Sequence, residues 1–519
     1  MARKKIPFVV SLLFLLFTVS LSAQTISSLQ RSVPEAEGVS SEGILSFLDA
    51  AGKSKHELHS FMFLRHSKVI AEGWWNPYSR NLKHTMYSLS KSFTSTAVGF
   101  AVSEKRLTVN NKVISFFPDH LPDTISPYLR ELTVKHLLTM SVGQDPDPTG
   151  TLVSRDSNWI KAFLALPIIN KPGSGFLYNS LATYMLSAIV QKVTGQKVID
   201  YLTPRLFKPL GIQGMDWETD PMGINTGGWG LRIKTEDMAK LGQLYLQKGN
   251  WNGKQLLPKE WAEEATSIRI LQSPKVSQSK RDSSDWLQGY CYQFWRSRHN
   301  SFRGDGAFGQ YILIMPEQDA VIAITAETPD MQDELNLVWK YLLPAFNKDR
   351  LAPNKKMAAS LERKLSSLAL PLPEKNTTSP AAPSISGKTF TIEENENDIK
   401  SLSVRFTNNV CYLTLAADTA TYKIGFSSAK WQTGETTKAG PYLLSKAKSR
   451  SAGLPPFKVS GHYTWKDKNT IELTLRYIES PHTEKIICHF NNNKILVDFE
   501  NSINQSNKEA SLKGELSNK

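Results

Sequence analysis

The hydrophobic pattern of this chain changes period near residue 350, and the change divides it into two folding units. Before that point helical and strand spacings alternate. Phe61 to Ile70 reads as a strand and Ser92 to Ser103 as a helix. Leu181 to Val193 carries Met185, Leu186, Ile189 and Val190 at helical spacing, with Gly195 as a stop. Tyr311 to Met315 and Ala320 to Thr325 read as strands joined by the turn Pro316-Glu317-Gln318-Asp319. A basic helical piece, Lys355 to Leu370, then leads into a Pro/Ser/Thr-rich stretch ending at Ser386. That composition reads as a linker. Only short alternating runs follow, such as Leu402-Val404-Phe406, Ile471-Leu473-Leu475-Tyr477 and Ile495-Val497-Phe499. A period of two, broken by turn residues, is the pattern of a small sandwich or barrel. The expected organisation is an α+β domain at 24–350, a linker at 351–386, an all-β domain at 387–505 and a polar tail at 506–519.

Composition narrows the class further. Of 519 residues, 40% are hydrophobic and 21% charged, which excludes a disordered or collagen-like chain. The formal charge is +14, but the surplus is shared equally between residues 1–350 and 351–519. An even surplus suits solubility, not a nucleic-acid groove. At the N-terminus, Arg3-Lys4-Lys5 precede an apolar run from Ile6 to about Val19, and small residues follow to Ala23. These are the three parts of a secretory signal peptide. The run is shorter than the roughly 20 residues a membrane span needs. Residues 1–23 are therefore expected to be removed, leaving a secreted or periplasmic protein with no membrane span. Cys411 and Cys488 fall in the β domain, where they either pair or remain two buried thiols, and Cys291 is left over. The ten His show no metal-ligand spacing, so no metal and no cofactor are expected.

Chemistry concentrates at Ser88-Leu89-Ser90-Lys91, which has the form S-x-x-K. Residues three apart share a helical face, so Lys91 lies beside the Ser88 hydroxyl. A serine is a poor nucleophile until a base takes its proton. A lysine with a depressed pKa can be that base. The spacing also occurs at Ser277, Ser427 and Ser445, but only Ser88 opens a helix rich in small residues. Backbone N–H groups at a helix start favour developing negative charge.

The surrounding sequence resembles the serine β-lactamase-like hydrolases, a family that includes class C β-lactamases, D-alanyl-D-alanine carboxypeptidases, β-lactamase-fold esterases and 6-aminohexanoate-dimer hydrolases. The resemblance runs in order through Met86 to Thr94, Glu104 to Leu107, Thr133 to Ser141, Pro172 to Ser180, Phe207 to Ile212 and Gly227 to Gly230. It covers roughly residues 30–345. It implies an antiparallel sheet flanked by helices with a mainly helical lobe, and a site between them. In that site Ser88 would be the nucleophile, Lys91 the general base and Tyr178 the proton shuttle. The N–H groups of Ser88 and Ala307 would form the oxyanion hole. Two positions depart from the family pattern. Ser180 replaces the asparagine of the Y-x-N motif, with Asn179 one residue early. The K-T-G or H-x-G motif falls on Gly304-Asp305-Gly306, so its cation is missing, although Arg303 is adjacent. Asn179, Ser180, Arg303, Gly304, Asp305, Gly306 and Trp229 are the expected substrate-binding positions, and Trp74, Trp75, Trp286 and Trp295 are further candidates to line a cleft.

The function expected from this is an exported serine hydrolase that forms an acyl-enzyme on Ser88. Its partner would be a small-molecule or peptide-like acyl substrate, with no nucleic acid. The missing cation favours an esterase or amidase over a β-lactamase. The alternatives are a non-catalytic binding or sensor protein on the same fold, and a carbohydrate- or partner-binding protein dominated by the β domain.

Overall fold

The computed structural model describes residues 28–373, 376–503 and 511–517. The signal-peptide reading of residues 1–23 lies outside them. The first unit is built on a seven-stranded sheet. Its spatial order is Gln30–Arg31, Lys68–Trp74, Glu57–Arg65, Ala320–Glu327, Gln310–Met315, Phe302–Gly306 and Trp295–Arg296. All neighbours pair antiparallel except the short first strand. The register sets Phe63 against Ile322 and Ile312 against Ala323. Side chains alternate across a sheet, and here both faces are apolar. Met62, Leu64, Ile312, Ile314 and Val321 enter one core, which they share with Phe93, Ala97 and Val98 of the helix Ser90–Ser103. Phe61, Phe63, Tyr311, Leu313 and Ile322 enter a second core under the helices Ser41–Gly52 and Met331–Leu337. Burial on both faces explains why these strands read as nearly continuous apolar runs.

The helix Ser90–Ser103 is buried from Ser90 to Ala101. One side packs on the sheet and the other on a helical lobe whose longest element is Ser180–Thr194. That helix ends where expected, on Gly195 at φ +73°. The α+β fold with a helical lobe is thus present.

The second unit is a closed barrel of ten strands. In space they run Thr421–Ser427, Val410–Ala417, Ile399–Thr407, Thr389–Ile392, Leu512–Leu516, Lys494–Asn501, Thr483–Asn491, Thr470–Tyr477, Phe457–Trp465 and Gln432–Thr436. Ser427 pairs with His462 to close the ring. Leu402, Leu413, Ile471, Leu473 and Val497 belong to a core of its own. Cys411 and Cys488 are both free, buried thiols in that core.

Two sequence readings need correction. The segment read as a polar tail contains the strand Leu512–Leu516, which pairs with both Thr389–Ile392 and Lys494–Asn501. Without it the barrel would have two open edges, which sheet proteins avoid. The segment read as a linker is also docked. Leu361 of the helix Lys355–Ser366, with Leu368 and Leu370, joins the second core of the sheet. The barrel itself is fastened to the first unit. Tyr78 donates to the Ser480 carbonyl (3.0 Å), Thr85 N–H to the Glu479 carbonyl (2.9 Å), and Arg476 pairs with Glu57.

Candidate active site

Ser88 sits in a tight turn, Tyr87–Leu89, that runs directly into the helix Ser90–Ser103. Lys91 is in the first turn of that helix and is almost fully buried. Its Nζ lies 3.0 Å from Ser88 Oγ, 3.0 Å from Ser180 Oγ and 2.7 Å from the Gly228 carbonyl. A neutral amine satisfies this set completely. Its two N–H groups donate to Gly228 and Ser180, and its lone pair faces the Ser88 hydroxyl. Burial drives the Lys91 pKa down to about 7, with Asp147 and Asp305 opposing. The amine is thus poised to gain or lose a proton near neutrality.

Tyr178 is half-buried and lines the same cavity as Ser88, whose hydroxyl is close enough to act on the phenol's pKa. Burial raises its pKa well above the ordinary value, and the Ser88 hydroxyl only partly opposes this. Lys91 Nζ lies over the ring face, 4.8 Å from its centre, not at the hydroxyl. Tyr178 therefore holds its proton at neutral pH and can give it away.

The strand Phe302–Gly306 passes close to the nucleophile turn. A Cβ on Gly306 would lie 2.2 Å from the Met86 carbonyl, so only glycine fits there. Ala307 follows and faces the same cavity as Ser88. Two backbone N–H groups, of Ser88 and Ala307, are thus available beside one hydroxyl.

These groups open into a cavity of about 700 Å³. Ser180, Asp305 and Trp229 line it, as do Trp286 and Trp295, while Trp75 is a core residue. Four expected binding positions are not among its lining residues: Asn179, Arg303, Gly304 and Gly306, the last packed against the Met86 carbonyl. Asn179 is 1% exposed, its Oδ1 accepts from Leu181 and Ala182 N–H, and its Nδ2 donates to Gln144 (2.7 Å). It is the N-cap of the helix Ser180–Thr194, because an amide one residue before a helix caps it better than it faces a cleft. Arg303 is fully buried under Trp286. It donates to Asp305 (2.8 Å), Ser297 (2.6 Å) and the Asp285 carbonyl (2.9 Å). It braces Asp305 from behind and presents no charge to a ligand. Gly304 points at Ser92 and Leu89, away from the cavity. No Lys or Arg is among the lining residues to meet a substrate carboxylate.

The sequence reading missed several lining residues. Asp147 and Thr149 come from the helical lobe, Met331 and Gln332 from the helix after the sheet, and Tyr442, Leu443 and Leu444 from the barrel. The barrel residues belong to the segment 437–456, between the strands Gln432–Thr436 and Phe457–Trp465. Nothing local marks them, because docking alone brings them to Ser88. Tyr442 donates to Glu218 (3.0 Å), and Ser451 N–H donates to the same carboxylate (3.2 Å). Among the described residues, no group of three or more His, Cys, Asp or Glu is placed to hold a metal.

Comparison with known proteins identifies the family of the first unit. The Beta-lactamase family model matches residues 57–343. The 6-aminohexanoate-dimer hydrolase of Paenarthrobacter ureafaciens is 24% identical over 292 residues, 52% of this chain and 73% of that protein. Among solved structures, a putative 6-aminohexanoate-dimer hydrolase from Bacillus anthracis aligns at TM-score 0.48 and 21% identity, covering 65% of this chain and 88% of its own. A penicillin-binding protein homologue from Pyrococcus abyssi aligns at TM-score 0.47 and 16% identity, covering 92% and 99%. With more than half of its length inside the family match, the chain belongs to the beta-lactamase family of serine hydrolases.

Proposed function

We propose that this protein is an exported serine esterase or amidase that works through an acyl-enzyme on Ser88. The observation that carries the reading is the Lys91 amine, buried, near neutrality in pKa and 3.0 Å from Ser88 Oγ. Neutral Lys91 takes the Ser88 proton as Oγ attacks the substrate carbonyl. The N–H groups of Ser88 and Ala307 receive the oxyanion. The protonated Tyr178 phenol gives its proton to the leaving group; in deacylation the Tyr178 phenolate takes a proton from the attacking water, and Lys91 returns its proton to Ser88 Oγ as the acyl group departs. Export is supported by the charged, apolar and small-residue pattern of residues 1–23.

The substrate is read from the walls. Three Trp side chains with Leu443, Leu444 and Met331 favour an apolar acyl group. Asp147 faces the cavity, and Asp305 faces it already paired with the buried Arg303, so no cation is left for a substrate carboxylate. A substrate carboxylate would meet repulsion there, whereas a neutral or cationic one would not. The 6-aminohexanoate-dimer hydrolase relative supports including amides in the class. The test is a panel of p-nitrophenyl esters and anilides, neutral, cationic and anionic, beside penicillin G. Neutral or cationic acyl substrates are expected to turn over fastest, with no turnover by Ser88→Ala. Faster cleavage of penicillin than of every ester and anilide would overturn the substrate class. No fluorophosphonate adduct on Ser88 would instead favour a non-catalytic binding protein.

A further inference from the structure

We propose that His482, a residue of the barrel, is a positioning residue for the oxyanion hole. The inference rests on the serine-hydrolase reading above. Two residues flank the N–H donors assigned to that hole. Tyr87 precedes Ser88, and Phe308 follows Ala307. Both are in the left-handed region, at φ +46° and +66°. Bulky side chains rarely adopt that conformation, so surrounding contacts must hold it.

His482 makes those contacts. It is fully buried in the turn between the barrel strands Thr470–Tyr477 and Thr483–Asn491. Its ring meets Phe308 edge-on at 4.7 Å and Tyr87 at 5.7 Å. Its Nε2 is 2.5 Å from the Tyr87 hydroxyl, and its Nδ1 is 2.7 Å from Glu327 of the central sheet. The partners assign the tautomer. Burial pushes the Tyr87 phenol well above its ordinary pKa, so it remains a donor to Nε2. Nδ1–H then donates to the Glu327 carboxylate. Tyr87 also stacks on Tyr442, on the barrel segment that walls the cavity, with ring centres 5.4 Å apart. One imidazole thus spans the residue before the first N–H donor and the residue after the second.

The consequence is mechanical. The tilt of the Tyr87–Ser88 peptide sets where the Ser88 N–H points. The turn at Phe308 sets where Ala307 sits. If either relaxes, the donors no longer converge on one oxygen, and transition-state stabilisation falls more than substrate binding. The barrel would then be part of the catalytic apparatus, not an appended domain.

The experiment uses the full chain with Tyr87→Phe, His482→Gln, His482→Ala and the Tyr87→Phe/His482→Ala pair. Tyr87→Phe removes one hydroxyl and keeps the ring packing, so it guards against misfolding of His482→Ala. Hydrolysis of p-nitrophenyl butyrate is read as kcat and KM, with phenylboronic acid affinity, fluorophosphonate labelling of Ser88 and thermal unfolding alongside. The expected result is a kcat lowered about 10- to 100-fold in Tyr87→Phe and His482→Ala. KM should stay within about twofold, and boronate binding should weaken in parallel with kcat. His482→Gln, which can still accept from Tyr87, should recover part of the loss. The pair should cost little more than the worse single change. Unchanged kcat in folded Tyr87→Phe and His482→Ala overturns the proposal, as does a rise in KM alone. Wild type that neither labels at Ser88 nor cleaves the ester overturns the hydrolase reading and this inference with it. Labelled wild type with unaffected variants overturns this inference alone.

Discussion

Catalytic capacity at the residue scale rests on which proton each group carries. Lys91 is the informative case. Its ammonium is pushed off by burial, and the neutral amine is the form that can accept the Ser88 proton. Activity therefore needs the deprotonated state. kcat/KM should rise about tenfold per pH unit below pH 7 and level off above it, with a midpoint near 7. Lys91→Met should abolish the rise and lower kcat by about 10³-fold or more. The same depressed pKa costs the fold stability. A base whose folded pKa is depressed costs stability in full below that pKa, and the cost is relieved across the window where the unfolded chain binds the proton and the native one does not. That cost is greatest below pH 7 and fades as pH rises toward the unfolded value of 10.5. Lys91→Met should accordingly melt above wild type at pH 6 while being inactive, which thermal unfolding and a kinetic assay on the same samples would check. Ser88 and Lys91 were legible in sequence because three residues along one helical turn fix their contact. Arg303 was not. Its neighbour Gly304 opens the motif, but strand alternation turns Arg303 under Trp286, and spacing along a chain does not say which face of a sheet is wet.

At the scale of elements, the cavity has one wall that the catalytic domain does not supply. The segment 437–456 crosses from the barrel and is latched by Glu218 through Tyr442 and Ser451. Further ties are Lys448 N–H to the Val153 carbonyl and Thr219 N–H to the Ala452 carbonyl, both 3.1 Å. Burial pushes the Glu218 carboxyl up to about 7, against those two hydrogen bonds. An acid with a raised folded pKa adds stability below its unfolded pKa and loses it as pH rises through the folded one. The latch should thus be firm at pH 6 and weaker at pH 8. Limited proteolysis within 437–456 should speed up by as much as about tenfold over that range. Glu218→Gln, which stays neutral, should cut at a rate that does not change with pH. The period of two announced the barrel's strands, but not this segment, which has no period. Asn179 shows the converse limit. Its side chain was available to a ligand or to a helix start, and the adjacent helix took it.

For the whole molecule, the question is whether two units with separate cores behave as one body. The change of pattern near residue 350 located the second unit, and its barrel closure came from a strand that composition alone had left in a polar tail. The docking between units was not legible, because its partners are hundreds of residues apart. Among its polar contacts, Arg476 of the barrel makes two hydrogen bonds to Glu57 at the end of a central strand. Burial alone would raise the Glu57 carboxyl, but hydrogen bonds from His59 and Arg476 override it and hold it down to about 2. Arg476 is further held between this carboxylate and the Trp431 ring at 5.1 Å. A charge-assisted hydrogen bond of this kind contributes about 1.5–3 kcal/mol. Because it joins the units, its loss should appear as loss of cooperativity as well as of stability. Wild type should give a single calorimetric transition at pH 7, and Arg476→Met should split it, with one unit melting first. Acid should reproduce the effect. An acid with a depressed folded pKa adds stability above its unfolded value, here 4.5, and loses it as pH falls through the folded one. Wild type should therefore begin to melt in two steps between pH 4 and pH 2, while Arg476→Met should show two steps at every pH. If Arg476→Met instead melts in one step at pH 7, the units are joined by their apolar contacts and not by this pair.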